Sequence, residues 1–281
     1  LMNLVAYGSE NLLFNGNPKK TFFKATYNKY TNFGMQRFRI DFEGSKTLQE
    51  RNNTILDFKI PRYAELLYDT YMVINLPNIY SPLYNFQKEE DISGGKNGHY
   101  FAPYEFRWIE ELGTNMIKEI EIYSGGVSLS KYSGEYLNCV KERDYNNSKK
   151  SLWNRMTGNV SELNNPGNSN GNINTYPNVY YTTANLDIEP SIRGRQLYVP
   201  LDAFFCGSSK TALPLVAMQY QEVSIRIEFK PVMDLYTINN VNETPQNNGL
   251  SYRIRPNPNV LEHQMWRFLQ PPKDKYADTI L

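Results

Sequence analysis

Residue types that commonly carry out chemistry are scarce in this chain of 281 residues. It has two histidines, His99 and His263, and two cysteines, Cys139 and Cys206. None of the four has a second histidine or cysteine at the spacing of a metal site or of a disulfide framework. The pattern predicts two loop histidines, two free thiols that are buried or half-buried, and no metal or cofactor.

Paired carboxylates are the next candidates for chemistry, at Glu110-Glu111 and at Glu119 and Glu121. The second pair alternates with isoleucines, which places both carboxylates on the polar face of one strand. The catalytic carboxylates of glycosidases instead flank a cleft. Ser124-Gly125-Gly126 leads into another strand-like stretch, so it predicts a hairpin turn and not a phosphate loop. We therefore predict that the protein is not an enzyme.

A segment near the N-terminus interleaves four lysines with four aromatic residues, at positions 19–30. Such a mixture is typical of nucleic-acid binding, because lysines bind phosphates and aromatic rings stack on bases. The whole chain has 30 Lys and Arg against 29 Asp and Glu, and this balance does not favour a specific nucleic-acid partner. The alternative is an amphipathic helix that Asn17 caps and Pro18 begins. We expect its aromatic face to dock on the sandwich or on a neighbour, through Phe23, Tyr27 and Tyr30.

Four sequons mark candidate glycosylation sites, at Asn52, Asn146, Asn159 and Asn242. The chain contains 33 Asn and 32 Ser and Thr, so about four sequons are expected by chance. Their number therefore carries no information about glycosylation.

Seven segments have the alternation or the apolar run of a β-strand. They are residues 35–43, 54–60, 68–76, 116–123, 195–204, 212–219 and 222–230. Residues 71–76 are apolar on both faces, which predicts a strand that is enclosed on both sides. A weak helix signal covers residues 133–145. The fold class is therefore all-β, a sandwich with few short helices, and no apolar run is long enough for membrane insertion.

Three long, turn-rich insertions separate these strands, at residues 77–103, 158–189 and 231–278. We expect them to emerge at the ends of the sandwich. Residues 164–172 contain almost only turn-forming residues and no large apolar side chain. We therefore predict that 158–189 is the least protected region and that neighbouring chains order its centre.

Several sequence blocks occur in a fixed order along the chain. They are Leu4-Val5-Ala6-Tyr7-Gly8, Asn15-Gly16-Asn17-Pro18, Thr21-Phe22-Phe23-Lys24, Tyr30-Thr31-Asn32-Phe33, the stretch 120–126, Leu197-Tyr198-Val199-Pro200-Leu201 and the stretch 212–223. Together they resemble the major capsid proteins of nucleocytoplasmic large DNA viruses. The chain departs from the family pattern at Asn28-Lys29-Tyr30, where Arg-Arg-His is frequent, and at Gln221, which replaces the usual His.

The resemblance implies a double jelly-roll protein with an N-terminal arm over residues 1–34 and a first jelly-roll domain over residues 35–281. It implies a structural component of the virion, a homotrimer that forms pseudo-hexagonal capsomers, contacts neighbouring capsomers and minor capsid proteins, and tiles an icosahedral shell assembled in the host cytoplasm. The arm would face the interior of the shell, and the long loops, with any glycans, would face outward. The implied assembly residues of the arm are Asn17, Pro18, Phe22, Phe23, Lys24, Tyr27, Tyr30 and Phe33.

A jelly roll has eight strands, and the sequence supplies seven candidates. We therefore expect the final strand, which lies between the first strand and the third, and a second jelly roll to follow residue 281. On this expectation the present chain alone leaves an internal sheet edge without its neighbour, and is insoluble or partly unfolded.

Two other functions stay open at this point. A carbohydrate-binding β-sandwich, similar to a lectin, would also have a jelly roll rich in Tyr and Asn. A minor capsid paralogue would share the sequence blocks of the major protein. The native mass in solution separates a trimeric capsomer protein from a monomeric lectin.

Overall fold

The computed structural model describes residues 27, 31–42, 47–81, 83–87, 99–177, 179–181, 188–241 and 252–271. The chain divides into two compact units, Leu1–Arg39 and Ile40–Leu281. In the first unit the described residues form neither helix nor strand. The predicted helix that begins at Pro18 lies outside the described residues, except for Tyr27.

The described part of the second unit is built mainly from β-strands. These are β1 (Thr54–Ile60), β2 (Leu66–Leu67), β3 (Tyr71–Asn75), β4 (Leu83–Gln87), β5 (His99–Pro103), β6 (Arg107–Trp108), β7 (Ile117–Ser124), β8 (Val127–Tyr132), β9 (Tyr180–Tyr181), β10 (Ile188–Glu189), β11 (Gln196–Pro200), β12 (Leu213–Pro214), β13 (Val223–Phe229), β14 (Tyr236–Asn239) and β15 (Arg253–Ile254). The helices are α1 (Leu112–Asn115), α2 (Gly134–Asp144), α3 (Asn147–Thr157), α4 (Ser161–Asn164) and α5 (Met265–Leu269). Single 3-10 turns cover Pro166–Asn168, Leu215–Ala217, Val232–Asp234 and Leu261–His263.

The largest sheet has the strand order β1-β13-β7-β8, and all its neighbours are antiparallel. Its inner face is apolar because Ile225, Ile227 and Phe229 alternate along β13 with more polar residues. The same period places Ile120 and Ile122 of β7 in the core. The predicted strands 54–60, 116–123 and 222–230 are therefore confirmed.

A tight hairpin joins β7 to β8. Gly125 and Gly126 have φ angles of 54° and 83°. Positive φ at both central residues is the requirement of a type I′ turn, the turn that fits the twist of a two-residue hairpin. The predicted hairpin turn at Ser124-Gly125-Gly126 is confirmed.

A second ladder pairs β3 with β11, from Tyr71 opposite Pro200 to Asn75 opposite Gln196. Backbone hydrogen bonds extend the ladder at both ends, because Leu76 N donates to Arg195 O (2.8 Å) and Leu201 N donates to Thr70 O (3.1 Å). Strands β2 and β12 pair beyond it. The prediction of a strand over 212–219 is wrong after Pro214, where a 3-10 turn begins.

The described parts of the segment 231–278, residues 231–241 and 252–271, are not the loop-like insertion that the composition predicts. Strand β14 pairs with β6 on one side and with β15 on the other. Tyr236 stacks on Phe106 with ring centroids 4.8 Å apart, and Phe268 of α5 packs against both rings. These aromatic rings belong to the main core, so burial of a few large side chains outweighs the turn-rich flanks.

The insertion 158–189 also has more structure than expected. Helix α4 buries Leu163, and Pro166, Gly167 and Ser169 are buried after it. Side-chain oxygens satisfy the backbone here, since Asn168 Oδ1 accepts from Asn174 N (2.9 Å). Hydrogen bonds within the chain thus contribute to the conformation of residues 164–172. Their ordering by neighbouring chains stays a prediction.

Residues 35–42 form no strand, although 35–43 has a clear alternation. Alternation determines which side chains share a face, but a strand also requires a ladder, and these residues join none of the described sheets. In the insertion 77–103 the described residues include the antiparallel pair β4 and β5. The predicted helix over 133–145 is confirmed as α2.

In the described sheets β3, which the expectation places beside the missing strand, pairs only with β11. The other expected neighbour, residues 35–42, forms no strand. The described sheets therefore do not contradict the expected open edge, and the insolubility of the chain stays a prediction. A second jelly roll after residue 281 stays a prediction.

Candidate assembly surfaces

The outward surface of the β3–β11 ladder is apolar over most of its length. Met72, Leu197 and Val199 point into the core, so the alternate residues form the outer side. Tyr71, Val73, Tyr198 and Pro200, here called the apolar face, occupy one end of this side, and the polar pair Asn75 and Gln196 occupies the other. Val73 is 52% exposed and lies directly opposite Tyr198. The sequence predicted an enclosed strand over 71–76, and in the single chain this prediction is wrong for the outer side. Contiguous exposed apolar residues are typical of surfaces that contact another protein.

The outward surface of the four-stranded sheet has the opposite character and is here called the charged face. Asp57, Arg226, Glu121 and Lys131 lie opposite one another on β1, β13, β7 and β8, with alternating sign. Arg226 Nε is 2.9 Å from Asp57 Oδ1, and its Nη1 is 3.9 Å from Glu121 Oε2. The Asp57 carboxylate raises the pKa of Arg226 by accepting this hydrogen bond. The polar strand face predicted for Glu121 is confirmed.

A second row of ion pairs continues the charged face. Lys131 Nζ is 2.7 Å from Glu119 Oε1, and this hydrogen bond raises the pKa of Lys131. Lys118 Nζ is 2.8 Å from Glu228 Oε1, which also accepts from Asn53 Nδ2 at 2.7 Å. These two donors, Lys118 first, lower the pKa of the Glu228 carboxyl. The carboxylates on this sheet pair with cations across the strands and do not face one another across a cleft.

A polar cluster lies away from both faces, around Glu111. Glu111 precedes α1 in a left-handed conformation, with φ 51°. Its Oε1 atom accepts from Lys141 Nζ of α2 (2.6 Å) and from Asn159 Nδ2 beyond α3 (2.8 Å). Asn164 Nδ2 of α4 donates to Asn159 Oδ1 (3.1 Å). No pattern in the sequence predicted this cluster, because its members come from four separate elements.

The predicted arm residues fall mostly outside the described part of the chain. Tyr27 and Phe33 are described, and they are 89% and 76% exposed in the single chain. Asn17, Pro18, Phe22, Phe23, Lys24 and Tyr30 lie outside the described residues. Docking of the arm therefore stays a prediction.

The sequons differ in how accessible their asparagines are. Asn52 is exposed. Asn146 is exposed too, and its Oδ1 caps α3 by accepting from Lys149 N (2.9 Å). Both polar atoms of Asn159 are used inside the Glu111 cluster, so a glycan on Nδ2 would disrupt it. Asn242 lies outside the described residues.

The cysteines and histidines behave as isolated residues. Both cysteines are free, but Cys139 is exposed, so the prediction of a buried or half-buried thiol is right only for Cys206. His263 is buried in a 3-10 turn, where its Nδ1 accepts from Asn257 N (3.1 Å) and burial lowers its pKa. His99 lies in β5 and not in a loop. Across the described ranges no group of three potential metal ligands occurs, and no helix is long and apolar enough to cross a membrane.

These features define a class of protein: an antiparallel β-sandwich whose apolar face is suited to contact with another protein. Comparison with known families identifies the family within this class. The family model for the N-terminus of major capsid proteins matches residues 21–254, and the chain belongs to this family. The match confirms the resemblance seen in the sequence. The antiparallel sheets with few short helices agree with the all-β class.

Individual relatives agree with the family match. The chain is 29% identical over 243 residues to the major capsid protein of Phaeocystis pouchetii virus, covering 83% of this chain and 41% of that protein. It is 27% identical to the major capsid protein of Chrysochromulina ericina virus, with 83% and 41% covered, and 27% identical to capsid protein 1 of Acanthamoeba polyphaga mimivirus, with 84% and 35% covered. The chain thus spans about two fifths of the length of these relatives.

Solved structures of viral capsids are also similar to this chain. A quasi-atomic model of the PBCV-1 capsid has a TM-score of 0.48 and 19% identity, and covers 75% of this chain and 38% of its own. The Faustovirus major capsid protein has a TM-score of 0.48 and 12% identity, and the match covers 76% of this chain and 46% of the Faustovirus chain.

Proposed function

We propose that this chain is part of a structural protein of a virus capsid, which assembles as a homotrimer and has no enzymatic activity. The observation that carries the proposal is the family match over residues 21–254. The relatives are named as capsid proteins, and a capsid subunit needs surfaces that contact further subunits. The apolar face is such a surface in the described part of the chain.

The occupant proposed for the apolar face is a second copy of the same protein. Tyr71, Val73 and Tyr198 are neighbours on one regular ladder, which offers a flat and rigid surface. The sequence of β3 is apolar on both sides, as expected for a strand that is enclosed in the assembled protein. The charged face already satisfies its polar groups by ion pairs, so it gains less from being covered by an apolar partner.

The remaining parts of the proposal follow from the family. Trimers form capsomers that contact neighbouring capsomers and minor capsid proteins in the shell of the virion, after assembly in the host cytoplasm. The N-terminal arm faces inward and the long loops face outward. Among the sequons with described asparagines, Asn52 and Asn146 are the ones whose exposure suits a glycan. The second jelly roll lies after residue 281.

The native mass of the protein tests the trimer directly. We expect light scattering after size exclusion to give three times the chain mass, and a monomer would overturn the proposed trimer. Val73→Lys places a charge on the apolar face and should convert the trimer to monomers. Ile55→Lys is the matched control, since Ile55 lies on the charged face and is 57% exposed. Trimers that survive Val73→Lys in a folded protein would contradict the contact through the apolar face.

A further inference from the structure

Three side chains with complementary chemistry meet at one carboxylate oxygen. Glu111 Oε1 accepts from Lys141 Nζ at 2.6 Å and from Asn159 Nδ2 at 2.8 Å. The two nitrogens therefore cannot be further apart than the sum of these two distances. The three residues are separated by 30 and 48 positions in sequence, so only the folded chain brings them together.

The surroundings of this cluster limit the access of water. Lys141 is 4% exposed, although lysine is among the residues that are least often buried. Glu111 Oε2 is also buried and has no hydrogen-bond partner among the described residues. The helices approach closely here, because a Cβ atom on Gly113 would lie 2.6 Å from Thr157 O. Glu111, Asn159 and Asn164 are half-buried, so the cluster lies at the margin of the core with its lysine buried. A cluster held by packed helices keeps reacting groups in a fixed geometry.

The fourth member of the cluster completes a set of roles for acyl transfer. Asn164 Nδ2 donates to Asn159 Oδ1 at 3.1 Å. This amide oxygen gains negative charge when a nucleophile attacks the amide carbon, and a hydrogen-bond donor stabilises that charge. Glu111 touches both the amine that would attack and the amide nitrogen that would leave. A carboxylate in this position can carry a proton from one nitrogen to the other.

We propose that Lys141 and Asn159 form an intramolecular isopeptide bond, with Glu111 as the catalytic residue. The Lys141 ammonium gives a proton to Glu111, and the neutral amine attacks Cγ of Asn159. The C–Nδ2 bond breaks as the proton returns from Glu111 to the departing nitrogen, which leaves as ammonia. The second proton leaves the Lys141 nitrogen, which becomes the amide N–H, and converts the released ammonia to ammonium. One N–C bond forms and one breaks, so the reaction needs no oxidant, reductant or energy source.

The bond would fasten α2 to the segment between α3 and α4, within the domain itself. It would also exclude Asn159 as a glycan acceptor, because its Nδ2 is lost. This inference does not depend on the oligomeric state of the protein. A trimer with no isopeptide bond, or a monomer with one, would separate the two proposals.

Peptide mass spectrometry of the folded, soluble protein tests the bond. Trypsin does not cleave after an acylated lysine, so the product is a branched peptide that joins residues 132–143 to residues 156–193. Its mass should be lower by about 17 Da, the mass of one ammonia, than the summed masses of the linear peptides 132–143 and 156–193. Recovery of only the separate peptides, with cleavage after Lys141, would overturn the proposal.

Three variants assign the roles. Lys141→Arg retains a cation beside Glu111 but removes the nucleophile, and Glu111→Gln removes the proton carrier; both should yield only separate peptides. Lys150→Arg is the matched control. Lys150 pairs with Glu142, which also lies 3.4 Å from Lys141 Nζ, and the variant keeps that cation and leaves Glu111 unchanged. It should leave the branched peptide at its original yield. A cooperative thermal transition establishes that each variant is folded. Branched peptide from Glu111→Gln at the original yield would refute the role of Glu111.

Discussion

The charged face and the apolar face are built by the same backbone rule but present opposite chemistry. Both belong to antiparallel strands that bury every second residue in one core. On the charged face the outward residues are ion-paired across β1, β13, β7 and β8. On the apolar face they are Tyr71, Val73, Tyr198 and Pro200. The difference shows that the inward residues join both sheets to the core. The outward residues determine whether the exposed side of each sheet suits water or an apolar partner.

The largest expected effect comes from truncating an inward side chain of β11, compared with truncating its outward neighbour. Leu197 is fully buried, and Leu197→Ala should lower the free energy of unfolding by about 2–5 kcal/mol because it leaves a cavity. Tyr198→Ala, one residue further on the apolar face, should change the stability of the single chain by less than about 1 kcal/mol. Urea unfolding of dilute protein measures both. Equal losses would mean that the single chain buries the outer side of β11 as well.

The hairpin that completes the charged face depends on the positive φ angles of Gly125 and Gly126. Gly126 has φ 83° and open space where an added Cβ would lie, so Gly126→Ala introduces strain without a steric clash. We expect a loss of about 1 kcal/mol in the free energy of unfolding. Gly34→Ala is the matched control, since its added methyl also meets open space and no left-handed φ is involved. Thermal unfolding that is unchanged by Gly126→Ala would contradict the type I′ turn.

The ion pairs of the charged face should contribute little to stability. Arg226→Gln removes the cation between Asp57 and Glu121, and exposed pairs of this kind are worth roughly 0.2–1 kcal/mol. The loss should diminish in high salt, because salt screens exposed charges. Unfolding curves at low and high ionic strength provide the test. A loss that does not depend on salt would indicate that Arg226 acts through packing.

The smallest effect concerns the pH dependence of the charged face. Lys118 and Asn53 lower the pKa of Glu228, so the unfolded chain binds its proton at a higher pH than the folded chain does. The resulting stabilisation is fully present above the ordinary glutamate pKa of about 4.3 and is lost as the pH falls through the lower folded value. Glu228→Gln should flatten this part of the stability profile. An unchanged acid slope would contradict the assignment.

The sequence predicted the charged face well and the apolar face only in part. Alternation along β13 is visible because each polar residue is strongly polar. Along β3 both sides are apolar, so periodicity alone could not show that the outer side is exposed in the single chain.

Two other regions show why the remaining predictions were incomplete. Tyr236 and Ile238 lie in a strand of four residues between turn-rich flanks, too short for a clear periodic signal. The Glu111 cluster depends on contacts over 30 and 48 positions, which no local pattern encodes. By contrast, the paired glycines before β8 identify their turn locally, because few residues adopt positive φ at two successive positions.

The position of β13 has a consequence for synthesis on the ribosome. This strand is central in its sheet, yet it emerges long after β1, and the contact between Asp57 and Arg226 spans 169 residues. The β7–β8 hairpin can form early, whereas β1 must wait for β13 before it gains its ladder partner. Such a high contact order predicts slow folding, and the nascent chain exposes a strand edge during the delay. Chaperone demand during translation should therefore fall once residues 223–229 have left the exit tunnel.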